Sequence, residues 1–438
     1  VPVSPPRPVR VGLLGCGNVG SALVELVDGD AGGIEERSGI RLEIARVAVR
    51  NLAKARTGSL GADRLTHDAH ALVSDPGIDV VVELIGGIEP ARSLILEALK
   101  AGKPVVTANK ELLANFGSEL RAMAESSGQA LLYEASVAGA IPLLRALRVS
   151  LAGERVRRVM GIVNGTTNYV LTRMSEEHIG YGDALSEAQT LGYAERDPSA
   201  DVEGFDASSK AAILASLAFN ADVVAGDVYR EGIETVDVAD IAFADRLGYV
   251  VKLLAVAEQV EDPEAGGEAI AVRVHPAMVP KDHPLASVRG PFNAVFVEGE
   301  ASGELMLYGR GAGGRPTASA VLGDVLDAAA ALGAPPRPRP TLHRRVSVRP
   351  IDDLRAQYYL TLDVIDRPGV LARVARVFGD HRVSIRSMEQ IGDGDEARLV
   401  FITHMALEGD VQAMLNELAK DEAVERTGGV LRVIGPER

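Results

Sequence analysis

The sequence predicts an α/β chain in three parts: a doubly wound parallel-sheet domain, an α+β domain, and a small C-terminal domain of βαββαβ order. Three observations lead there. From Val9 to Ser150 short apolar runs alternate with helical periods, as the strands and crossover helices of a parallel sheet require. Between residues 156 and 309 that alternation lapses into runs of helix and strand pattern. From Ala334 to Pro350 proline and arginine dominate without an apolar period, which marks an extended linker, and a compact rhythm resumes at Gln357.

Composition narrows the possibilities. The 438 residues suit two or three domains at roughly 100–200 residues each, and a hydrophobic share of 47% allows sizeable cores. Lys+Arg 46 against Asp+Glu 61 gives a net charge of -15, which disfavours nucleic acid and anionic membrane surfaces. The lone cysteine, Cys16, cannot form an internal disulfide, so a reducing, cytoplasmic setting is expected. Val1 to Pro8 lacks the apolar core of a signal peptide, and no apolar run reaches the roughly 18 residues of a membrane span. Scattered histidines and the absence of a Cys-x-x-Cys pair argue against zinc, and His275 and His283 read as ordinary loop residues.

Taken in order, Val9 to Leu14 is a strand that ends in Gly15-Cys16-Gly17-Asn18-Val19-Gly20 and leads into a helix over Ser21 to Val27. A G-x-G-x-x-G loop between strand and helix lets the backbone approach a pyrophosphate at a helix N-terminus, so dinucleotide binding is expected. The next strand, Leu42 to Val49, ends in Arg50-Asn51 with no acid for a ribose 2′-hydroxyl. Arg50, with Lys54 and Arg56 behind it, suits a 2′-phosphate instead, which favours NADP over NAD and leaves dual use open. Strands at Ile78 to Leu84 and Pro104 to Thr107 flank a helix over Glu89 to Lys100, and Lys110 follows the second strand's carboxyl end, where ligands bind in open α/β sheets.

A short strand, Ala130 to Tyr133, precedes the small-residue loop from Glu134 to Pro142 and a helix over Leu143 to Ser150. One carboxylate beside several carbonyl oxygens could hold a hard cation, although a plain turn reads as well. Val156 to Val163 is a strand running into Asn164-Gly165-Thr166-Thr167-Asn168-Tyr169, either a polar pocket or a simple N-cap of the helix through Met174.

The stretch Gly192 to Lys210 threads carboxylates through a helical pattern. Over Ala200 to Leu217 a period of about 100° per residue puts Val202, Phe205, Ser209, Ile213 and Leu217 in one stripe, with Asp206 inside it and Lys210 at its border. The commoner meaning of that spacing is an i, i+4 pair on a solvated helix face, but a charged pair on a buried side costs desolvation energy unless something specific compensates, so a substrate site is expected here. Beyond it come a helix at Val236 to Gly248 and strands at Val251 to Val260, Ala269 to Val274, Asn293 to Val297 and Glu304 to Tyr308. A glycine loop, Gly309 to Gly314, then opens a helix over Pro316 to Leu332. The C-terminal part reads as strand Tyr358 to Val364, helix Ala372 to Asp380, strands Ser384 to Gln390 and Ala397 to His404, helix Val411 to Leu418 and strand Val430 to Ile434.

The glycine loop, T-A-N-K, E-A-S-V-A-G-A-I-P, G-I-V-N-G-T-T-N-Y, G-Y-A-E-R-D-P-S-A-D-V-E-G-F-D-A-S-S-K and G-R-G-A-G-G-R-P-T-A-S-A-V follow one another as in homoserine dehydrogenase, which the chain resembles over most of residues 9–330. Arg196 departs from the proline more usual there and leaves the acidic positions intact. The resemblance implies Lys210 and Lys110 as catalytic lysines, and Glu195 and Asp206 as holders of the ammonium of L-homoserine, which exchanges with L-aspartate 4-semialdehyde. It implies a sodium-type site of Glu134 with the carbonyls of Val137, Gly139 and Ile141, and places Gly192 and Gly309 against the cofactor. D-R-P-G-V-L-A in a βαββαβ order looks like an ACT domain, and in this family that implies feedback inhibition by L-threonine.

The expected organisation is therefore a Rossmann-type domain of residues 9–138 plus 310–333, a catalytic and dimerisation domain of 139–309, a linker of 334–355 and an ACT domain of 356–438. A homodimer or homotetramer is expected, and the short stretch ahead of Val9 is not expected to carry the kinase fused to some relatives. Two other readings stand beside this one. A different ACT-bearing dehydrogenase would use a histidine base, and none lies between Gly192 and Lys210; an idle amino-acid sensor would have lost a lysine, and both remain.

Overall fold

The computed structural model describes residues 7–52, 60–262, 267–332, 346–392 and 396–435. Lys54, Arg56 and most of the expected linker lie outside the described residues. In chain order the elements begin β1 (Val9–Leu14), α1 (Asn18–Gly29), α2 (Ala31–Ser38), β2 (Leu42–Ala48), β3 (Leu65–Thr66), α3 (Ala69–Ser74), β4 (Val80–Glu83) and α4 (Ala91–Lys100). They continue with β5 (Val105–Thr107), α5 (Lys110–Ser127), β6 (Leu131–Leu132), α6 (Leu143–Arg145), β7 (Val156–Ile162), α7 (Gly165–Glu177), α8 (Tyr181–Thr190), α9 (Ser199–Val202) and α10 (Phe205–Ala218). Then come β8 (Tyr229–Arg230), α11 (Val238–Arg246), β9 (Tyr249–Asp262), β10 (Gly267–Pro280), β11 (Phe292–Gly299), β12 (Gly303–Arg310) and α12 (Gly314–Ala330). The C-terminal elements are β13 (Arg355–Ile365), α13 (Val370–Asp380), β14 (Ile385–Gly392), β15 (Glu396–Thr403), β16 (Ala406–Leu407), α14 (Glu408–Leu418) and β17 (Val424–Val433).

The chain forms two compact units, one of Val1–Arg155, Ala212–Gly226 and Leu307–Arg345, the other of Val156–Ala211, Asp227–Met306 and Val346–Arg438. In the first, a parallel sheet runs β3-β2-β1-β4-β5-β6, the order of a Rossmann-type domain. Its central strands are buried on both faces, so they read as unbroken aliphatic runs such as Val80 to Val82. Leu23, Val24 and Val27 of α1 share a core with Ala318, Val321, Val325 and Ala328 of α12. Each fully buried leucine or valine among them contributes about 1.5–3 kcal/mol. Strand order reverses between β1 and β4, and the crevice there opens at the carboxyl ends of the strands.

In the second unit β9 and β10 form a long hairpin, registered from Gly267↔Asp262 to Pro280↔Tyr249. The sheet continues through β17, which pairs parallel to β10 at Ala277↔Arg432 and Met278↔Val433. From there it passes to β13, β15 and β14, so the βαββαβ C-terminal domain adds its sheet to the preceding one. That domain has its own core, with Val370, Val374 and Phe378 of α13 against Leu360, Leu399 and Phe401.

Four expectations need correcting. The helix expected over Ala200 to Leu217 is two helices, broken at Gly204, whose φ of 82° is left-handed and suits a residue without Cβ. Phe205, placed in the buried stripe, is exposed and lies beneath the Arg230 guanidinium at 3.4 Å from the ring centroid. His275 is no loop residue: it is buried on β10 with Nδ1 3.0 Å from the Pro276 carbonyl. Burial, then the charges of Arg432 and Arg273, hold its pKa well below the usual histidine range. The helix expected over Leu143 to Ser150 changes after Arg145 to a wider π turn over Ala146–Ser150. His283 does sit in a loop, where its Nδ1 accepts the Leu285 N–H at 3.1 Å.

Candidate active site

In the first unit the glycine loop is shaped by close approach. Gly15 has φ 92°, and a Cβ there would stand 2.6 Å from the Leu84 carbonyl oxygen; a Cβ on Gly20 would meet the Gly15 carbonyl at 2.6 Å. Gly17 is different, because the space its Cβ would occupy is open. It is the N-cap of α1, which begins at Asn18 and Val19 with no side-chain cap and no acid in its first turn. A backbone cradle with outward N–H groups fits a dinucleotide pyrophosphate. Arg50 is exposed just beyond β2.

The carboxyl ends of β4 and β5 are tied together by a buried network. Thr107 Oγ1 donates to Glu83 Oε2 at 2.6 Å, while Glu83 Oε1 accepts the N–H groups of Ile85 and Gly86 at 2.7 and 3.1 Å. Asn109 caps α5 by accepting the Leu112 N–H at 3.1 Å, and its Nδ2 donates to the Gly87 carbonyl at 2.6 Å. Lys110, partly buried, therefore emerges from a fixed backbone at the first position of α5.

Glu134 is buried, and its two carboxylate oxygens accept the N–H groups of Leu144 and Arg145 at 2.8 and 2.6 Å, capping α6. Burial raises its pKa and these amides oppose the rise. Its own N–H donates to Asp324 Oδ2 at 2.7 Å. After Val137, Ala138 and Gly139 take left-handed φ values of 56° and 55°. Gly139 passes so near Gly311 that a Cβ would lie 2.4 Å from its carbonyl oxygen, and a Cβ on Gly309 would lie 3.2 Å from Ile141 Cγ1. Each carboxylate oxygen keeps a further lone pair beyond its amide bond, which is compatible with a cation.

The second unit holds the Asp206–Lys210 pair on α10, with the two residues 7% and 8% exposed. Lys210 Nζ donates to Asp206 Oδ2 and to the Val163 carbonyl, both at 2.7 Å. Asn164 Nδ2 donates to the same Asp206 oxygen at 2.9 Å and to Asp201 Oδ1 at 2.6 Å. Its Oδ1 meanwhile accepts the Thr167 N–H at 2.9 Å as the N-cap of α7. The two readings of the N-G-T-T-N cluster are thus one arrangement, a cap whose amide also bridges two acids. Thr166 Oγ1 lies 2.7 Å from the Tyr193 carbonyl and 3.0 Å from Asp201 Oδ2.

Sequence reasoning missed Asp201, although it lay within the singled-out stretch, because a continuous helix would have turned it away from Asp206. Glu195 is not gathered into this cluster: it is exposed, and Gln189 donates to its backbone carbonyl at 3.1 Å. Gly192, with φ 76°, stands in an exposed turn with open space at its Cβ position. The two carboxylates that Asn164 bridges suit a cationic group, and a buried amine beside them can hold or release a proton. Among the described residues no group of three or more His, Cys, Asp or Glu is arranged to hold a metal, and no helix is long and apolar enough to cross a membrane.

Comparison with known proteins gives concordant matches. A family model described as homoserine dehydrogenase matches residues 142–326, that family's NAD binding domain matches 15–134, and the ACT domain matches 358–423. The homoserine dehydrogenase of Corynebacterium glutamicum is 47% identical over 430 residues, covering 98% of this chain and 96% of that protein. That of Synechocystis is 46% identical over 439 residues, covering 97% and 99%. The crystal structure of a homoserine dehydrogenase from Thiobacillus denitrificans superposes with a TM-score of 0.92 at 40% identity, covering 98% of each chain. A hyperthermophilic archaeal homoserine dehydrogenase in complex with NADPH superposes with a TM-score of 0.61 at 29% identity, over 75% of this chain and 99% of that one.

Proposed function

The chain belongs to the homoserine dehydrogenase family, oxidoreductases with a nicotinamide-binding domain, and from that premise we propose the following roles for its residues. The observation that carries them is the buried Lys210–Asp206–Asn164 arrangement. The nicotinamide supplies hydride chemistry when bound. Lys210 holds the proton that passes to the alkoxide when L-aspartate 4-semialdehyde is reduced, and takes it back when L-homoserine is oxidised. Asp206 binds the substrate ammonium, with Glu195 as its second acid, and a substrate lacking that ammonium forgoes those contacts and is disfavoured. Lys110 has the second catalytic role. Gly15, Gly17, Asn18, Val19 and Gly20 receive the pyrophosphate, with Gly192 and Gly309 as further cofactor contacts.

Arg50 supports NADP as the preferred cofactor, because an exposed guanidinium and no acid follow β2. A sodium ion held by Glu134 and the carbonyls of Val137, Gly139 and Ile141 is supported by the oxygen-only character of that donor set. L-Threonine is the proposed feedback inhibitor. A cavity of 330 Å³ in the C-terminal domain, lined by Asp366, Arg367, Gly369, Val370, Leu371 and Gln390, is of a size and polarity to take an amino acid. The working form is a homodimer or homotetramer serving the biosynthesis of threonine, methionine and isoleucine.

The test is steady-state turnover of purified protein with L-homoserine and NADP+ or NAD+, followed by nicotinamide absorbance. Reduction of NADP+ with a lower KM than NAD+ is expected. No turnover from neutral to alkaline pH would overturn the proposal.

A further inference from the structure

The turn between α9 and α10 is seated in a loop that belongs to neither helix. A Cβ on Gly204 would stand 3.1 Å from Arg230 Cγ and 3.3 Å from the Glu231 carbonyl oxygen. Gly232 backs onto the same turn so closely that a Cβ there would lie 2.4 Å from the Val202 carbonyl oxygen. That carbonyl accepts the Ile233 N–H at 2.9 Å. Arg230 covers the ring of Phe205, the first residue of the helix that carries Asp206 and Lys210. Contacts this tight mean that a shift of residues 230–233 shifts the first turn of α10.

The loop is anchored on two sides. Through β8 it pairs with β10 at Arg273↔Tyr229 and Val274↔Arg230, and the Glu231 N–H donates to the Val274 carbonyl at 2.8 Å. The other anchor comes from the C-terminal domain. Arg432 on β17, 3% exposed, donates from Nη2 to Glu231 Oε1 at 2.8 Å and from Nε to Glu408 Oε2 at 2.8 Å. Tyr358 donates to that Glu408 oxygen at 2.7 Å, and the Tyr229 hydroxyl donates to Glu231 Oε1. One buried guanidinium therefore bridges a carboxylate at the head of α14 and a carboxylate in the loop beneath α10. An exposed ion pair would weigh little. Here the planar fork of Arg432 is buried and held by Glu408, so the direction in which it grips Glu231 is set.

We propose that Glu231 is a positioning residue: clasped by Arg432, it holds residues 230–233 against the first turn of α10 and so makes the C-terminal domain a structural part of the site built on Asp206 and Lys210. This rests on the roles proposed for those two residues.

The experiment compares Glu231→Ala, Glu231→Gln and Arg230→Met in the full chain. The Glu231 side chain is 31% exposed and Arg230 is exposed, so none of the three empties the core. Expected is a KM for L-homoserine raised on the order of tenfold in Glu231→Ala, as a small misplacement of a binding group produces, with KM for NADP+ unchanged. Glu231→Gln, which keeps an acceptor for Arg432 and Tyr229, should restore most of the loss, and Arg230→Met should repeat part of it. Wild-type KM and kcat in Glu231→Ala overturn the proposal, as does an equal loss in Ala and Gln variants that tracks a lowered melting temperature. Absence of turnover in the wild-type protein would sink the catalytic assignment first and the clamp with it, a result distinct from normal wild-type kinetics with an indifferent Glu231→Ala.

Discussion

Lys210 Nζ stands 2.7 Å from Asp206 Oδ2, one helical turn away on α10, and Asn164 Nδ2 reaches the same oxygen at 2.9 Å from the start of α7. On an exposed helix such a pair contributes only about 0.2–0.5 kcal/mol. Buried, it incurs a desolvation cost that a fold does not need, which argues for chemistry.

Lys210→Ala should lower kcat by about 10²–10⁴, the usual contribution of a positioned acid-base group. Lys210→Arg keeps the charge but cannot release its proton near neutral pH, so it should bind NADP+ normally and still fail to turn over. Calorimetric cofactor binding separates these effects from misfolding. A wild-type rate in the alanine variant would remove Lys210 from the proton transfer.

Asn164→Ala loses an N-cap and should cost about 1 kcal/mol of stability. It also removes the amide that bridges Asp201 and Asp206. Asn164→Asp retains a good cap but sets a third carboxylate against the other two. Thermal melts should therefore place Asp no higher than Ala, because the added buried charge outweighs the retained cap, while the KM for L-homoserine rises in both, by roughly tenfold or more. Equal KM values in wild type and both variants would mean that Asn164 is only a cap.

Asp324 gives a pH signature. Burial first, and then the neighbouring Glu134 charge, raise its pKa from 3.8 to about 6, while the Glu134 N–H works the other way. Its folded pKa lies above the unfolded one, so the contribution to stability is fully present below pH 3.8 and is lost as the pH rises through about 6. The loss at neutral pH is at most about 3 kcal/mol. In Asp324→Asn, urea unfolding should show wild-type-minus-variant stability falling across that window. A difference independent of pH would show that Asp324 ionises as it does in the unfolded chain.

Arg50→Glu should raise the KM for NADP+ roughly tenfold or more, by losing one charge-assisted hydrogen bond and gaining repulsion, with KM for NAD+ little changed. Parallel changes for both cofactors would assign the 2′-phosphate contact elsewhere.

The nucleotide-binding half was legible because its signals are local. Strand β1 and the Gly15, Gly17 and Gly20 spacing lie in one short stretch, and the terminal βαββαβ order follows from alternating periods. The Asp206–Lys210 pair was legible for the same reason, as an i, i+4 relation survives wherever the helix is placed. Asp201 was not, and Asn164 was legible only as a cap or pocket residue, not as the bridge between two acids. Gly204 breaks the helix without disturbing the apolar period, so the pattern reads through a left-handed residue that only packing against Gly232 and Arg230 explains.

By itself, then, the sequence determined the glycine loop, the order of secondary elements and the lysine-bearing helical turn, all relations between near neighbours in the chain. Only the tertiary structure decided that Asn164 and Asp201 join Asp206, that His275 is a buried strand residue, and that β17 pairs with β10 and brings Arg432 to Glu231. Those contacts depend on which distant strands lie side by side, and periodicity along one segment carries no record of its partner.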